Sequence, residues 1–258
     1  MADQTILVTG AGSGIGRATA LLAARRGARA VVADIDAEAG SSCAEEITKA
    51  GGEAMAVRCD VSDEQSVAEL FRELSRHRLV PTGAVAAAGV DLGGFAHELP
   101  ADRWHRVLAV NLTGAFLVCR EALAAMLAAG QSGSIVLCSS PAAFAGFAAG
   151  GASAYAASKG GLSALTRTLA VDYARYGIRV NAIVPGPTET PLMWAAVADT
   201  DRAVLRTQIA SQVPLGRLAD PAEPARAALW LLSDEASYVT GSHLTCDGGV
   251  LARASISL

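Results

Sequence analysis

The sequence predicts an α/β fold, a single domain built on a doubly wound parallel sheet of about seven strands with helices on both faces. Short apolar runs alternate with stretches of helical length along the chain, which is the pattern of consecutive βαβ units. Apolar residues make up 52% of the chain and charged residues only 18%, as expected for strands that are buried on both faces. No linker or low-complexity tract interrupts residues 1–258, so we expect one dinucleotide-binding and catalytic domain.

The predicted elements follow one another in regular order. Apolar runs predict strands at 5–8, 28–33, 54–58, 83–88, 133–138, 178–184 and 243–246. Stretches of helical period predict helices at 16–27, 37–50, 62–78, 100–129, 154–176, 191–212 and 221–233. The third helix has a marked start, because Ser62 can cap its first turn while Gln65 completes a capping box.

Charge and composition exclude several classes of protein. With 21 basic and 25 acidic residues the formal net charge is −4, which argues against a nucleic-acid partner, since phosphate contacts need a clustered excess of Lys and Arg. The first predicted strand begins at Thr5 with no basic and apolar leader, and no later stretch is a clear membrane span. We therefore expect a cytoplasmic protein with no membrane partner. The five cysteines and four histidines lack ligand spacing, so no metal site is expected.

A glycine-rich segment, TGAGSGIG at 9–16, follows the first predicted strand directly. Gly10, Gly14 and Gly16 stand where the chain must turn sharply from a strand into a helix. Glycine tolerates a positive φ and lets backbone N–H groups and the positive end of the helix approach a pyrophosphate. The position of the segment predicts a dinucleotide site, although tight turns and close packing also select glycine.

An acidic residue ends the second predicted strand. Asp34 lies twenty residues after Gly14, where a carboxylate accepts hydrogen bonds from the adenosine ribose hydroxyls and repels a 2′-phosphate. Ser13 and Ile35 bring no positive charge that would compensate, so the sequence favours NAD over NADP. The alternative is that Asp34, together with Asp36, only caps the following helix.

Tyr155 and Lys159 lie four residues apart in a strongly helical segment, which places both side chains on one helix face. A phenol with a pKa near 10 needs a lowering of roughly 3 units to act as a base near neutrality, or about 4 kcal/mol. One ammonium group at about 4 Å supplies roughly that amount at an effective dielectric constant of about 20. The pair predicts proton transfer at a substrate oxygen.

Several motifs in fixed order resemble those of the short-chain dehydrogenase/reductase family, and the resemblance covers essentially the whole chain. They are TGAGSGIG, the Asp60–Val61 pair, Asn111 in VNLTGAF, YAASK at 155–159, NAIVPGPTET at 181–190, VTG at 239–241 and DGG at 247–249. The resemblance implies a Rossmann-type fold, an NAD cofactor, and hydride transfer between NAD(H) and a secondary alcohol or ketone.

The resemblance also implies residue roles. Tyr155 is the general acid/base, Lys159 holds the nicotinamide ribose, Ser140 hydrogen-bonds the substrate oxygen, and Asn111 keeps a water that links Lys159 to solvent. Implied cofactor contacts are Gly10, Ser13, Gly14, Ile15, Gly16, Asp34, Ile35, Asp60, Val61, Ala88, Gly89, Tyr155, Lys159, Val184, Pro185, Gly186, Thr188 and Thr190. Of these, Asp60 and Val61 would contact adenine and the Val184 backbone the carboxamide, with Thr190 near the nicotinamide or its phosphate. Taken singly, Asn111 also fits an ordinary helix position, Asp60 a turn and Thr190 a helix cap.

Two features depart from the family pattern. The fourth predicted strand ends AlaAlaAlaGly at 86–89, where the family usually has an asparagine. Ser140 lies fifteen residues before Tyr155 rather than the common thirteen, so the intervening loop is two residues longer. Ser139 is therefore an alternative, and only one of the two serines can face the cofactor because successive strand residues point to opposite sides.

The loops at the carboxyl ends of the strands are expected to set the substrate, including a substrate loop or lid around 186–215. Their candidate pocket residues are largely apolar and include no obvious Arg or Lys clamp for a carboxylate or phosphate. A hydrophobic or cyclic alcohol or ketone is therefore expected. The apolar candidates for the pocket wall, which could also only pack within a mobile lid, are Phe95, Phe144, Phe147, Leu192, Met193 and Trp194.

Alternatives remain open at this stage. An NADPH-dependent ketoreductase of the 3-oxoacyl-carrier-protein type and a polyol or sugar dehydrogenase fit the same motifs. A methyltransferase of similar fold is disfavoured by the YxxxK helix, and a non-catalytic dinucleotide sensor by the four filled catalytic positions. The resemblance further implies a homotetramer, assembled through the helices near 102–129 and 154–176 and the C-terminal segment.

Overall fold

Seven parallel strands form one sheet in the order β3-β2-β1-β4-β5-β6-β7, in a computed structural model that describes residues 1–147 and 149–253. The prediction of about seven parallel strands in a Rossmann-type fold is confirmed. The strands are β1 Thr5–Thr9, β2 Arg29–Asp34, β3 Ala54–Arg58, β4 Gly83–Ala86, β5 Gly133–Cys138, β6 Ile178–Pro185 and β7 His243–Cys246.

Helices cover both faces of the sheet, as the high apolar content predicts. One buried cluster joins the sheet to α3, α5 and α6, and a second joins the opposite face to α1, α2 and α9. The helices are α1 Gly14–Arg25, α2 Ala37–Lys49, α3 Glu64–Arg76, α4 Ala101–Leu108, α5 Ala115–Ala128, α6 Ser153–Tyr173, α7 Pro191–Trp194, α8 Asp199–Gln212 and α9 Ala222–Leu232.

The strand order reverses between β1 and β4. The chain first builds the sheet outward from β1 through β2 to β3, and β4 then pairs with β1 on its other side. In an open α/β sheet the crevice beyond the carboxyl ends of the strands at such a reversal is the usual place for a ligand. The glycine-rich segment follows β1 and the segment 87–99 follows β4, so both border this crevice. The topology alone therefore fixes where the functional site should lie.

The helices α4 and α5 are one continuous helix from Ala101 to Ala128, joined by a wide π-helical turn at Ala109–Gly114. By length and composition this is the one helix in residues 1–147 and 149–253 that could cross a membrane. More than half of its apolar stretch is buried, and its side chains pack in the cluster shared with α3 and α6. It therefore serves as a core helix of the domain.

Two local predictions were wrong in their boundaries. The helix expected at 191–212 is split into α7 and α8 by the segment 195–198, with an extended backbone at Ala198. The third helix is capped by Asp63, which accepts a hydrogen bond from the Gln65 N–H at 3.0 Å. The Ser62 hydroxyl instead donates to the Asp60 carboxylate at 2.6 Å, so Ser62 belongs to the turn before the helix and does not cap it.

Candidate active site

The glycine-rich segment forms a tight cradle between β1 and α1. Gly10 has φ +67°, and a β-carbon there would lie 2.7 Å from the Ala88 Cα, while one on Gly16 would overlap the Gly10 carbonyl oxygen. Gly14 also has a positive φ of +51°. The Ser13 side chain makes no capping hydrogen bond, and no acidic residue lies in the first turn of α1. The cradle and its open helix N-terminus fit a dinucleotide pyrophosphate.

Asp34 ends β2 directly beside this cradle. Its Oδ2 accepts a hydrogen bond from the Gly12 N–H at 2.7 Å, and its Oδ1 accepts one from the Asp36 N–H at 2.9 Å. The cap of α2 is Asp36, which accepts from the N–H groups of Glu38 and Ala39. Asp34 therefore holds the phosphate loop against the end of β2, and helix capping does not occupy it.

Asp60 and Val61 follow β3 on the same side of the sheet. Asp60 Oδ1 accepts hydrogen bonds from the Ser62 N–H and hydroxyl, at 2.9 and 2.6 Å. Burial raises the pKa of Asp60, but these hydrogen bonds and the charge of Arg106 outweigh it and hold the pKa below its usual value. Val61 is buried, and a β-carbon on Gly114 would lie 2.8 Å from its Cγ2. Asp60 thus orders the turn that carries Val61.

The wide turn between α4 and α5 aims Asn111 at the strand ends. Its Oδ1 accepts from the Val90 N–H at 2.8 Å, and its Nδ2 donates to the Val90 carbonyl at 2.9 Å and to the Ser158 hydroxyl at 3.1 Å. The Ser158 hydroxyl in turn donates to the Tyr155 carbonyl at 2.7 Å. Asn111 therefore ties the segment after β4 to the helix that carries Tyr155, which is more than an ordinary helix position requires. Ser158, which no motif marked, completes this link.

Lys159 and Tyr155 lie one turn apart on α6, and the structure brings them together. Lys159 is only 4% exposed, its Nζ donates to the Cys138 carbonyl at 2.7 Å, and Nζ lies 5.4 Å from the centre of the Tyr155 ring. A β-carbon on Gly89 would lie 3.7 Å from this Nζ and 3.5 Å from Asn111 Oδ1, so the glycine leaves room between them. Tyr155 itself is half-buried at the mouth of the crevice.

The two serines after β5 point in different directions. The Ser139 hydroxyl lies 3.3 Å from the Lys159 carbonyl and 3.2 Å from the Ser163 hydroxyl, so it packs against α6. The Ser140 oxygen accepts a hydrogen bond from the Ala142 N–H at 3.2 Å, which leaves its own hydrogen available to an acceptor. Ser140 is the serine whose hydroxyl can donate to a substrate oxygen.

The segment after β6 reaches the phosphate loop. Thr190 caps α7 by accepting from the Met193 N–H at 3.3 Å, and its Cγ2 would lie 3.1 Å from a β-carbon on Gly14. Thr190 is thus both a helix cap and a neighbour of the cradle. Val184 is fully buried, and in the sheet it pairs with Thr245 of β7. The backbone expected to contact the carboxamide is therefore fixed by this pairing.

The rest of this segment packs against the C-terminal part of the chain. Pro185 ends β6, and Gly186 follows it. A β-carbon on Gly186 would lie 2.6 Å from the Asp247 Cα, so a glycine is needed where the chain passes this close to the DGG motif. Thr188 is buried, and its hydroxyl donates to the Gly186 carbonyl at 2.8 Å.

The segment 190–218 is closed at its base by a short parallel pairing. The Glu189 N–H donates to the Ala219 carbonyl and the Ala219 N–H to the Pro187 carbonyl, each at 2.9 Å. The Glu189 carboxylate accepts from the Trp194 indole at 3.1 Å and pairs with Arg206 at 2.5 Å, so it connects α7 with α8. This segment stands on a fixed base beside the crevice.

The apolar candidates for the pocket wall do not all face one way. Phe144 makes an edge-to-face contact with His243 of β7, with ring centres 5.6 Å apart. Phe95 lies against Gly150, where a β-carbon would be 2.8 Å from its ring. Phe147 and Leu192 are 45% and 39% exposed. Phe95 is therefore the aromatic residue that joins the segment after β4 to the extended loop.

Asp91 is a charged residue at the crevice that sequence reasoning missed. It directly follows Val90, whose backbone N–H is bound by the side chain of Asn111. Burial raises the pKa of Asp91, and the Lys159 ammonium opposes that shift. No motif marks this position, since a single acid in a loop carries no signal without the fold around it.

Comparison with known proteins agrees with this geometry. The sequence model of a family described as Enoyl-(Acyl carrier protein) reductase matches residues 10–251. The chain is 41% identical to the 2,5-dichloro-2,5-cyclohexadiene-1,4-diol dehydrogenase of Sphingobium indicum, over 98% of each chain. It is 44% identical to the cis-4-hydroxycyclohexanecarboxylate dehydrogenase of Sinomonas cyclohexanicum, over 97% of this chain and 98% of that one.

A solved structure is similar over the same length. A Beutenbergia cavernae protein, provisionally assigned as an NAD(P)-dependent gluconate 5-dehydrogenase and holding NADP at low occupancy, superposes with a TM-score of 0.90 at 41% identity over 98% of each chain. Fold and site together define a dinucleotide-binding oxidoreductase that acts on secondary alcohols. The chain belongs to the short-chain dehydrogenase/reductase family.

Replacing the two serines separately distinguishes their roles. Ser140→Ala should lower kcat for alcohol oxidation by about 10²–10³-fold, because it removes the hydroxyl that we expect to donate to the reacting oxygen. Ser139→Ala should lower kcat by less than about tenfold and reduce the free energy of unfolding by about 1–2 kcal/mol, because its bonds tie β5 to α6. Steady-state kinetics and urea unfolding measure both effects, and the reverse ranking of the two kcat values would contradict the assignment.

Proposed function

We propose that the protein oxidises a hydrophobic or cyclic secondary alcohol with NAD, and catalyses the reverse reduction of the ketone. The observation that carries this proposal is the placement of the buried Lys159 ammonium beside Tyr155 and bound to the Cys138 carbonyl, two residues before Ser140, at the carboxyl ends of the strands that border the dinucleotide cradle. Hydride transfer needs a fixed nicotinamide, a proton acceptor and a donor that polarises the oxygen.

Each catalytic residue has one task in this scheme. Bound NAD supplies the hydride acceptor. Tyr155, as phenolate, removes the proton of the substrate hydroxyl, and Ser140 donates a hydrogen bond to the same oxygen. Lys159 stabilises the phenolate by its charge and holds the nicotinamide ribose. Asn111 fixes the backbone at Val90 beside Lys159 and supports the path by which the proton leaves to solvent.

The cradle and the strand ends would hold the dinucleotide. The pyrophosphate would lie at the N-terminus of α1, Val61 at the adenine, and Thr190 near the nicotinamide end. The proposed contacts are Gly10, Ser13, Gly14, Ile15, Gly16, Asp34, Ile35, Asp60, Val61, Ala88, Gly89, Tyr155, Lys159, Val184, Pro185, Gly186, Thr188 and Thr190.

NAD is proposed over NADP on electrostatic grounds. The Asp34 carboxylate is held at the end of β2 by two backbone N–H groups, so it cannot easily turn away from a ribose 2′-phosphate. Ser13 is exposed without charge, and the adjacent Ile35 is 47% exposed, so neither offsets the repulsion. The NADP in the Beutenbergia cavernae structure is a property of that protein.

A cyclic substrate is supported by the apolar residues at the crevice and by the cyclic substrates in the names of two curated relatives. The gluconate assignment of the structural neighbour keeps a polyol dehydrogenase as the second candidate.

We further propose that residues 186–215 act as a lid, that the protein is cytoplasmic, and that it forms a homotetramer. Exposed apolar side chains on α5 and α6, Phe116, Leu127 and Val171, support the assembly.

The proposed activity is tested by an absorbance screen for NAD reduction across secondary alcohols, cyclic alcohols, hydroxysteroids and polyols. We expect the highest kcat/KM with a cyclic alcohol, and a loss of about 10³-fold or more in Tyr155→Phe, which lacks the ionisable hydroxyl. Tyr176→Phe is the matched control, because it removes a phenol hydroxyl just beyond the C-terminal end of α6, whereas Tyr155 lies in the first turn of that helix. Equal activity of Tyr155→Phe and the wild type would refute the proposed mechanism.

The cofactor preference is tested at Asp34. The wild type should show at least about a tenfold higher kcat/KM with NAD than with NADP, and Asp34→Asn should reduce this ratio by about tenfold, because the charge that repels the phosphate is gone. Asp36→Asn removes the neighbouring charge and should leave the ratio unchanged. A wild type that uses NADP as efficiently as NAD would overturn the assignment.

A further inference from the structure

The α7–α8 segment, residues 191–212, is fixed at both ends but packs only loosely between them. Every residue in it is exposed or only partly buried. The backbone pairing of Glu189 with Ala219 holds the chain just before the segment, and the buried Val213 holds it just after. A surface segment with so little buried apolar area opens at a low free-energy cost unless polar contacts hold it down.

Both helices of the segment bind the same carboxylate. The Trp194 indole of α7 donates to Glu189 Oε2 at 3.1 Å, and the Arg206 guanidinium of α8 pairs with Glu189 Oε1 at 2.5 Å. Within residues 1–147 and 149–253, these are the two side chains of the segment that form a hydrogen bond or an ion pair outside it. We call the two contacts together the carboxylate latch.

The latch is asymmetric in its exposure to solvent. Glu189 Oε1 is buried from water, whereas the Arg206 side chain is 63% exposed. The arginine therefore covers the oxygen from the solvent side, and the oxygen becomes hydrated when the arginine leaves. Because the charged oxygen is well solvated in the open form as well, the latch can open without leaving a buried charge unpaired.

The latch borders the dinucleotide cradle. Thr190, the next residue, caps α7, and its Cγ2 would lie 3.1 Å from a β-carbon on Gly14. Pro191, the first residue of α7, would lie 4.0 Å from the same β-carbon through its Cδ. A movement of α7 away from Glu189 therefore also moves the groups that border the cradle, so the latch and the cofactor site are mechanically connected.

We propose that Glu189 is a positioning residue whose carboxylate latch holds α7 and α8 closed over the crevice, and that release of Arg206 and Trp194 opens the segment for substrate exchange. The inference rests on the proposed function and names the group that controls its lid. If the alcohol binds the closed form, its apparent dissociation constant rises in inverse proportion to the fraction of closed enzyme. The chemical step keeps its rate, because the latch binds groups of α7 and α8 rather than Tyr155.

The first test needs no substrate. Hydrogen–deuterium exchange followed by mass spectrometry should show the amides of 191–212 exchanging at least about tenfold faster in Glu189→Gln than in the wild type, with those of β5 and β6 unchanged. Glu189→Gln keeps an acceptor for Trp194 and loses the charge that pairs with Arg206. Arg206→Met breaks the same ion pair from the other side, so it should give the same change, and the two changes should not add in the double variant.

Arg202→Met is the matched control. Arg202 lies on α8 one turn before Arg206, and its ion pair with Asp199, at 2.9 Å, stays within the helix. Its replacement removes the same charge from the same helix without touching the latch. The exchange of 191–212 should therefore stay within about twofold of the wild type.

The second test is a steady-state comparison with the best alcohol. Glu189→Gln and Arg206→Met should each raise KM by about five- to tenfold and should not lower kcat by more than about twofold, since opening affects binding and release but not the hydride step. Arg202→Met should leave both constants near those of the wild type.

Four outcomes separate the latch from its alternatives. Unchanged exchange in both Glu189→Gln and Arg206→Met would overturn the inference. An equal effect of Arg202→Met would mean that the charge of α8, not the latch, holds the segment. A fall in kcat at constant KM in Glu189→Gln would place Glu189 in the chemical step instead. A wild type that oxidises no alcohol would refute the proposed function, while the exchange rates would still decide whether the latch exists.

Discussion

The buried ammonium of Lys159 is the constraint around which the site is built. It is 4% exposed and bound to a single backbone carbonyl, that of Cys138. No carboxylate pairs with it in the part of the chain that the structure describes, so its charge is not cancelled. A desolvated cation is costly unless anionic or polar groups face it. In the proposed mechanism the Tyr155 oxygen and the hydroxyls of a nicotinamide ribose are groups of this kind, so catalysis would use the same attraction that burial requires.

The surrounding fold holds this charge in place from three directions. The sheet delivers the Cys138 carbonyl at the end of β5, α6 carries Lys159 and Tyr155 on adjacent turns, and the wide turn of the long helix directs Asn111 into the gap. Gly89 lies beside both residues, where a β-carbon would touch Asn111 Oδ1 at 3.5 Å and Lys159 Nζ at 3.7 Å. A single-residue change at one of these contacts therefore displaces groups on several elements, which explains why residues distant in sequence form one unit.

Much of this organisation follows from the sequence because it depends on local chemistry. All seven strands follow from apolar runs, and the positive φ of Gly10 and Gly14 from a strand that must turn into a helix. The cap at Asp63 was missed because two adjacent residues, Ser62 and Asp63, both suit the position, and the Asp60 turn decides between them. The hydrogen bonds that Asn111 makes with Val90 and Ser158 depend on contacts far along the chain, which no local pattern encodes.

The most direct test of the account is the fate of the carbinol hydrogen. The best cyclic alcohol is prepared with deuterium at its carbinol carbon and incubated with NAD and enzyme, and the reduced cofactor is analysed by mass spectrometry. The account predicts one deuterium in each reduced cofactor with the wild type, and transfer slower by at least about 10³-fold with Lys159→Met, which keeps the side-chain length without the charge. Deuterium lost to solvent, or transfer at an equal rate in Lys159→Met, would contradict it.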